Sequence, residues 1–278
     1  MRKSRKNIYS LFFAGALILF SATVKSQTQI LDTKLVSLWN HETKLDIAPL
    51  VDELGFNLIW THDPAYTNQK WEDTHMYKCL QVPGVKYVLA KIERAAWGWT
   101  QEESVRHAKW VAELSLKHPG IFGLYLNDFY DEIEEGHRTA EQWREIIQAA
   151  KSVNPNLKLV APHYPHKSQE KHDFDFPIDG IILNIWGNTP ELMAGAEKHL
   201  ATGLAHHPNR FVIAGLYLNS GMDGGRWLSE EEFKKVLGHY VSMLNNDKIA
   251  GLRIFSAGQF YKRSEYIGWA KEILDQIK

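Results

Sequence analysis

The sequence has one cysteine in 278 residues, and this scarcity excludes several classes of protein. Cys79 can form no disulfide within the chain, and there is no cysteine-rich metal motif. An excess of one charge is also lacking, because the formal net charge is −1 and the isoelectric point is about 6.9. Nucleic acids and anionic membranes are bound by basic surfaces, so the sequence predicts neither as a partner.

Several sequence motifs are missing as well. No Gly-x-Ser-x-Gly occurs, which removes support for a serine hydrolase of that type. No His-Glu-x-x-His zinc motif occurs. The first apolar run is followed by Asn40-His41-Glu42-Thr43, without the glycines that a phosphate-binding loop in a doubly wound sheet often has. No linker rich in Ser, Gly or Pro divides residues 27–278, which we therefore predict to be one domain.

The amino terminus is typical of a secretory signal peptide. Four basic residues among the first six precede an apolar run that extends from Ile8 to about Val24. We expect cleavage after Ser26, which would leave 252 residues exported to the periplasm or the extracellular space, with no membrane contact. The alternative is a retained anchor, for which the run is short. No cysteine lies near the cleavage site, so a lipid anchor is not expected.

Short apolar runs alternate with amphipathic stretches through residues 27–278, which predicts parallel strands covered by helices. Eight runs have this character: 35–39, 57–60, 86–90, 122–126, 158–161, 180–185, 211–218 and 251–255. The intervening helical patterns include capping-box spacings at Thr100 with Glu103 and at Ser229 with Glu232. Eight strands with their crossovers fit an α/β fold, a single (β/α)8 TIM barrel of roughly 250 residues. The competing fold is an open doubly wound sheet.

The two ends of the predicted strands differ in composition. Turn residues such as Pro83-Gly84 and Asn154-Pro155-Asn156 precede strands, whereas polar and aromatic residues follow every strand. Active sites of such barrels lie at the carboxyl ends of the strands. The sequence therefore places the functional site at that end.

The fourth strand gives the strongest catalytic candidate. Asp128 lies at the tip of this apolar strand, after Asn127, and Asp131 comes three residues later. Glycosyl transfer needs a proton donor and usually a second carboxylate, so we predict Asp128 as the general acid, with Glu93 or Asp131 as its partner. Alternatively, Asp128 caps the next helix or pairs with Arg138, and Glu93 pairs with Lys91 or Arg94.

The sequence has ten tryptophans, and aromatic residues make up 12% of it. This number of tryptophans needs an explanation. Sugars present flat C–H faces that stack on indole rings, and their hydroxyls need polar partners. We predict a substrate site with an oligo- or polysaccharide as partner, formed by Trp39, Asn40, His62, Asp63, Trp97, His163, Asn184, Trp186, Tyr217 and Asn219. Core packing is the better interpretation for Trp60, Trp110, Trp143 and Trp269.

The thirteen histidines raise a metal alternative. His62, His163 and His166 could combine with Asp128 around a transition metal. The His-x-His pair that metal-dependent hydrolase barrels often carry on their first strand is absent, and we predict no metal or other cofactor.

Around the fourth strand, the chain resembles (β/α)8 glycoside hydrolases of exported bacterial sugar-degrading systems. The run from His118-Pro119-Gly120 to Asn127-Asp128 carries the resemblance. It implies an acid/base at Asp128 and a nucleophilic Glu on strand seven, where this sequence instead has Asn219-Ser220. We therefore expect a glycosidase, with a non-catalytic glycan-binding barrel as the alternative and a metal-dependent hydrolase as a third.

Overall fold

The computed structural model describes residue 31 and residues 33–63, 69–166, 176–219 and 225–278. The signal peptide predicted over residues 1–26 lies outside the described residues. Eight parallel strands form a closed barrel in chain order, which confirms the predicted TIM barrel. The strands are β1 Leu35–Trp39, β2 Leu58–Thr61, β3 Tyr87–Ile92, β4 Ile121–Leu126, β5 Lys158–His163, β6 Gly180–Asn184, β7 Phe211–Tyr217 and β8 Gly251–Phe255.

Helices connect these strands on the outside of the barrel. They are α1 Ala48–Leu54, α2 His75–Leu80, α3 Gln101–Ser115, α4 Phe129–Glu134, α5 Ala140–Val153, α6 Pro190–Ala194, α7 Ala196–His206, α8 Glu230–Asn245, α9 Ala257–Lys262 and α10 Glu265–Leu274. None of the helices in the described part of the chain is long and apolar enough to cross a membrane.

The strands separate two apolar layers, which explains why their sequences are almost continuously hydrophobic. Side chains such as Leu124 and Ala214 pack outward against the helices, while Leu89, Ile182 and Phe211 fill the barrel interior. Gly123 permits close packing of β4 on β5, because a Cβ there would lie 2.0 Å from the carbonyl oxygen of Lys158. The interior is thus a packed core, and a cleft can open only at the ends.

The predicted capping boxes at Thr100 and Ser229 are both present, and a third occurs at Thr139 with Gln142. Each cap is worth about 0.5–2 kcal/mol. The periodicity of residues 190–204 predicts one helix, but the structure has two, which meet at Gly195. Glycine is a poor helix former, which accounts for the break.

Candidate functional site

A cleft of about 540 Å³ lies at the carboxyl end of the barrel, where the strand tips predicted a site. Its lining combines aromatic rings with charged groups from almost every strand: Trp39, His41, His62, Lys91, Glu93, Arg94, Trp97, Tyr125, Asn127, Asp128, Asp131, Glu135, Tyr164, Trp186, Tyr217, Arg253 and Phe255. A second hollow, of about 670 Å³, lies at the amino end around Lys158 and Phe211. Its acid, Asp179, is tied to Lys151 at 2.8 Å, so the carboxyl-end cleft is the better candidate.

Strand register brings the tips of β3 and β4 together. Because Ile92 pairs with Leu126, the next residues, Glu93 and Asn127, are adjacent. Asn127 Nδ2 donates to Glu93 Oε2 at 3.2 Å. The pairing register of β3 with β4 shifts by one residue between Val88 and Leu89, before the strands reach these tips. The sheet itself therefore fixes the position of the predicted carboxylate.

Glu93 is buried and ionised. Its Oε1 forms an ion pair with Lys91 Nζ and lies 3.1 Å from His62 Nδ1. Burial alone would raise the pKa of the Glu93 carboxyl, but the hydrogen bond from His62 and the charge of Lys91 outweigh burial and lower the pKa to about 2. The ion pair with Lys91, which the sequence offered as an alternative, is thus present within the cleft. Glu93 can act as a carboxylate at neutral pH but not as a proton donor.

Asp128 lies at the tip of β4 in left-handed backbone conformation, with φ of 46°. Its side chain makes no capping hydrogen bond to α4. Instead, the Tyr164 hydroxyl donates to Asp128 Oδ1 at 3.0 Å, and Arg94 Nη1 lies 3.5 Å from Oδ2. Arg138, the other predicted partner, pairs with Glu132 at 3.4 Å. The left-handed turn directs Asp128 into the cleft, whose lining also includes Asp131.

Glu132 anchors the backbone behind these groups. Its carboxylate has no exposure and accepts hydrogen bonds from the backbone N–H of Ala95 at 2.9 Å and from Arg94 Nε at 3.3 Å. Arg138 donates to the carbonyl oxygen of Glu93 at 2.9 Å and also contacts Glu132. We call Glu93, Arg94, Asp128 and Glu132 the acidic side of the cleft. Its carboxylates are matched by cations from the same chain.

Aromatic rings form the floor and rim of the cleft. Trp39 stacks on Trp60 with 5.6 Å between ring centroids, and Tyr125 meets both rings edge-on. Trp60 is buried, as its core interpretation predicted. Trp97 is 54% exposed and Trp186 44% exposed, on loops after β3 and β6. Both rings line the cleft and present part of their surface to solvent.

The structure does not bring Asn40 or Asp63 into the cleft lining. Asn40 is buried and its Nδ2 lies 3.2 Å from His75 Nε2. Asp63 accepts hydrogen bonds from the backbone N–H groups of His75 at 2.6 Å and Met76 at 3.3 Å, so it holds the start of α2. Burial raises the pKa of the Asp63 carboxyl, and these backbone donors counteract the rise. Both residues act as structural polar groups.

His163, Asn184 and Asn219 are also absent from the cleft lining. His163 is buried, with its Nδ1 3.0 Å from His207 Nε2. Asn184 accepts from Arg253, and Asn219 donates to the carbonyl oxygen of Gly225 at 2.7 Å. Of the substrate residues predicted from sequence, the cleft brings together Trp39, His62, Trp97, Trp186 and Tyr217.

The metal alternative finds no geometric support among the described residues, where no group of three or more His, Cys, Asp or Glu side chains could hold an ion. Of its proposed ligands, His62 lies against Glu93 and His163 against His207. They therefore belong to different clusters.

Sequence reasoning missed Arg253, Tyr164 and the role of Arg94. Arg253 carried a usable signal, because a charged residue inside the buried run Gly-Leu-Arg-Ile-Phe needs a polar partner. Tyr164 and Arg94 gave no such signal, since both lie in loops whose course depends on tertiary packing.

No protein-family model matches the sequence, and no curated protein matches it. Solved structures do match. β-Glucuronidase 2 of Bacteroides uniformis is 18% identical with a TM-score of 0.57, and the match covers 80% of this chain and 30% of that chain. β-D-Glucuronidase of Dictyoglomus thermophilum is 15% identical with a TM-score of 0.56, covering 81% and 44%. A xylanase mutant from Cellvibrio japonicus is 13% identical with a TM-score of 0.54, covering 83% and 88%.

These neighbours are glycoside hydrolases, and their likeness to this chain confirms the barrel architecture. The chain spans less than half the length of the two glucuronidases. At these identities the likeness is one of fold.

Proposed function

We propose that this chain is a glycoside hydrolase that cleaves a glycan in the carboxyl-end cleft. The observation that carries the proposal is that Glu93 and Asp128, from neighbouring strand tips, line one cleft together with Trp97 and Trp186. Two carboxyls beside the scissile bond are the usual requirement for glycoside hydrolysis. The fold shared with glucuronidases and a xylanase supports the same reaction class.

In this proposal Asp128 protonates the glycosidic oxygen. Glu93 cannot take this role, because Lys91 and His62 keep it ionised, with a pKa of about 2. Its negative charge suits a nucleophile or a base opposite the developing positive charge on the sugar. Tyr164 and Arg94 hold the two oxygens of Asp128 and so fix the direction of its carboxyl. Asp131, on the first turn of α4, is the second choice as partner.

A non-catalytic glycan-binding barrel is the second candidate. The observation that favours it is the ion pairing of both carboxylates, Glu93 with Lys91 and Asp128 with Arg94. Such pairing would hold the side chains in place without chemistry. The aromatic rim would then be the functional element.

Turnover and binding separate the two candidates. The mature protein is incubated with polysaccharides and aryl glycosides, with and without EDTA, beside Asp128→Asn. Product that the variant abolishes and EDTA spares supports the glycosidase, and general acid catalysis predicts a loss of about 10²–10⁴-fold. Loss with EDTA would indicate metal chemistry. Binding without product on any glycan would leave the lectin-like barrel.

We also propose that the barrel works outside the cytoplasm, from the charged and apolar pattern of residues 1–26. Intact mass of the protein recovered from its native compartment tests this. A chain that begins at Gln27 supports export, and a full-length cytoplasmic chain contradicts it.

A further inference from the structure

Arg253 is a buried cation at the cleft that the proposed mechanism does not use. Its side chain enters the barrel mouth from the middle of β8 and is 1% exposed, yet it lines the cleft. No carboxylate in the described part of the chain forms an ion pair with it, and its Nε has no hydrogen-bond partner there. Arginine stays charged at any ordinary pH. A buried charge without a counter-ion is costly, so this arrangement calls for a compensating group.

A hydrogen bond to Asn184 helps to hold the guanidinium in place. Arg253 pairs with Gly215 of β7, which pairs with Asn184 of β6, so the three residues share one level of the barrel. Arg253 Nη2 donates to Asn184 Oδ1 at 2.8 Å across Gly215. A Cβ at position 215 would lie 2.1 Å from that oxygen, so only glycine leaves the side chain of Asn184 its room.

Aromatic rings surround the guanidinium without neutralising it. Its central carbon lies 5.2–5.3 Å from the ring centroids of Trp39, Trp60 and Tyr217. Cation–π contacts offset part of the desolvation cost but add no negative charge. We call Arg253 and Tyr217, which line the cleft, together with the buried Asn184 that accepts from Arg253, the arginine side of the cleft. It carries a buried positive charge with no carboxylate partner in the part of the chain that the structure describes.

The position of Arg253 relates it to the proposed chemistry. Tyr164, which donates to Asp128, is close enough to Arg253 for the two to interact electrostatically. Burial raises the pKa of the Tyr164 hydroxyl well above its ordinary value, so this group remains a neutral donor. A group bound at Arg253 would therefore lie in the same cleft as the bond that Asp128 protonates.

We propose that Arg253 binds an anionic substituent, a carboxylate or a sulfate, on the sugar unit beside the scissile bond. The inference rests on the proposed function and adds a substrate class, the acidic glycans. A planar guanidinium matches the paired oxygens of either group. The ligand would supply the counter-charge that the described residues do not provide.

Binding, measured apart from turnover, tests this proposal. The protein carrying Asp128→Asn is titrated by calorimetry with oligogalacturonate and with its methyl ester, and with a sulfated oligosaccharide and its desulfated form. We expect tighter binding of at least one charged member of a pair, by about 10- to 100-fold, as for hydrogen bonds to charged groups. The two arms distinguish a carboxylate from a sulfate.

Variants then assign the effect to Arg253. Arg253→Met should remove the preference for the charged ligand, Arg253→Lys should keep part of it, and Arg106→Met, a surface change on α3 that removes the same charge, should keep all of it. Gly215→Ala, which displaces Asn184, should weaken the preference without altering any charge. If Arg253→Met fails to fold, Arg253→Lys and Gly215→Ala carry the same comparison.

Equal binding of charged and neutral ligands, or a preference that survives loss of Arg253, would overturn the anion site. If neutral glycans alone are bound and cleaved, the anion site is wrong and the glycosidase proposal stands. If acidic glycans bind at Arg253 and no glycan is cleaved by the wild type, the anion site stands and the glycosidase proposal is wrong. Failure of every glycan to bind would overturn both.

Discussion

The two sides of the cleft handle charge in opposite ways. On the acidic side, Glu93 faces Lys91, and Asp128 and Glu132 share Arg94, so the chain compensates its own charges. On the arginine side, Arg253 contacts the side-chain amide of Asn184 and several aromatic rings, but it pairs with no carboxylate among the described residues. The acidic side is therefore organised to keep its geometry before any ligand arrives. The arginine side has no counter-charge among the described residues, and we propose that a bound ligand supplies it.

The largest expected effect comes from breaking compensation on the acidic side. Glu132→Gln leaves Arg138 buried without its full counter-charge and removes a partner of Arg94. We expect the free energy of unfolding to fall by about 3–5 kcal/mol, as for a buried ion pair that loses one member. Urea denaturation of the variant and the wild type measures this change in the free energy of unfolding.

The matched control is Glu135→Gln, since Glu135 also pairs with Arg94 but is 48% exposed. Its loss should cost less than about 1 kcal/mol. Similar small losses for both variants would show that burial does not distinguish the two contacts.

A smaller, pH-dependent effect is expected at Glu93. Because the folded state lowers the pKa of this carboxyl from 4.5 to about 2, its ionised form stabilises the fold above pH 4.5, and that stability is lost as the pH falls toward 2. Glu93→Gln should therefore lower the free energy of unfolding by about 3 kcal/mol at pH 7. The difference in free energy of unfolding between this variant and the wild type should become smaller below pH 4.5.

Urea midpoints between pH 3 and pH 7 check this dependence. Glu102→Gln on the exposed face of α3 serves as control and should stay within about 0.5 kcal/mol throughout. A gap at Glu93 that does not change with pH would mean that shape and hydrogen bonding, rather than charge, make the contribution.

The sequence predicted the strands and the position of the cleft better than the side-chain contacts within the cleft. Alternation of apolar runs located all eight strands to within two residues at each end, and strand polarity located the cleft. Glu93, Asp128 and Asp131 could be placed there because each follows a strand directly or within one turn. This reasoning depends only on local order along the chain.

The contacts between elements could not be read in the same way. Asp63 follows β2 as a catalytic residue would, yet its carboxylate holds the N–H groups that begin α2, twelve residues away. Asn184 also lies at a strand tip, yet its side chain accepts a hydrogen bond from Arg253, 69 residues away. Whether a polar side chain at a strand tip meets a ligand or a buried neighbour is decided by tertiary packing. Arg253 was missed for the converse reason, because it lies within a strand.

The smallest expected effect concerns the exposed tryptophans at the rim of the cleft. Trp97→Ala and Trp186→Ala should each weaken glycan binding by about 1 kcal/mol, the scale of an aromatic stacking contact. Trp97 also covers Lys91 and Arg94, with the cations 5.7 and 5.5 Å from its ring centroid, so its loss should additionally reduce stability slightly. Calorimetric titration and urea denaturation measure the two quantities. Tyr261→Ala, an exposed ring outside the cleft, should leave affinity unchanged, and a loss there equal to that at the tryptophans would contradict the stacking role.

The dependence of the cleavage rate on the leaving group tests directly whether Asp128 supplies a proton. A leaving group of low pKa, such as a dinitrophenol, departs without a proton, whereas a sugar alcohol does not. We predict that Asp128→Asn slows cleavage of a glycan by about 10²–10⁴-fold but slows the matching dinitrophenyl glycoside far less. Equal slowing of both substrates, or of neither, would contradict the assignment of Asp128 as the general acid.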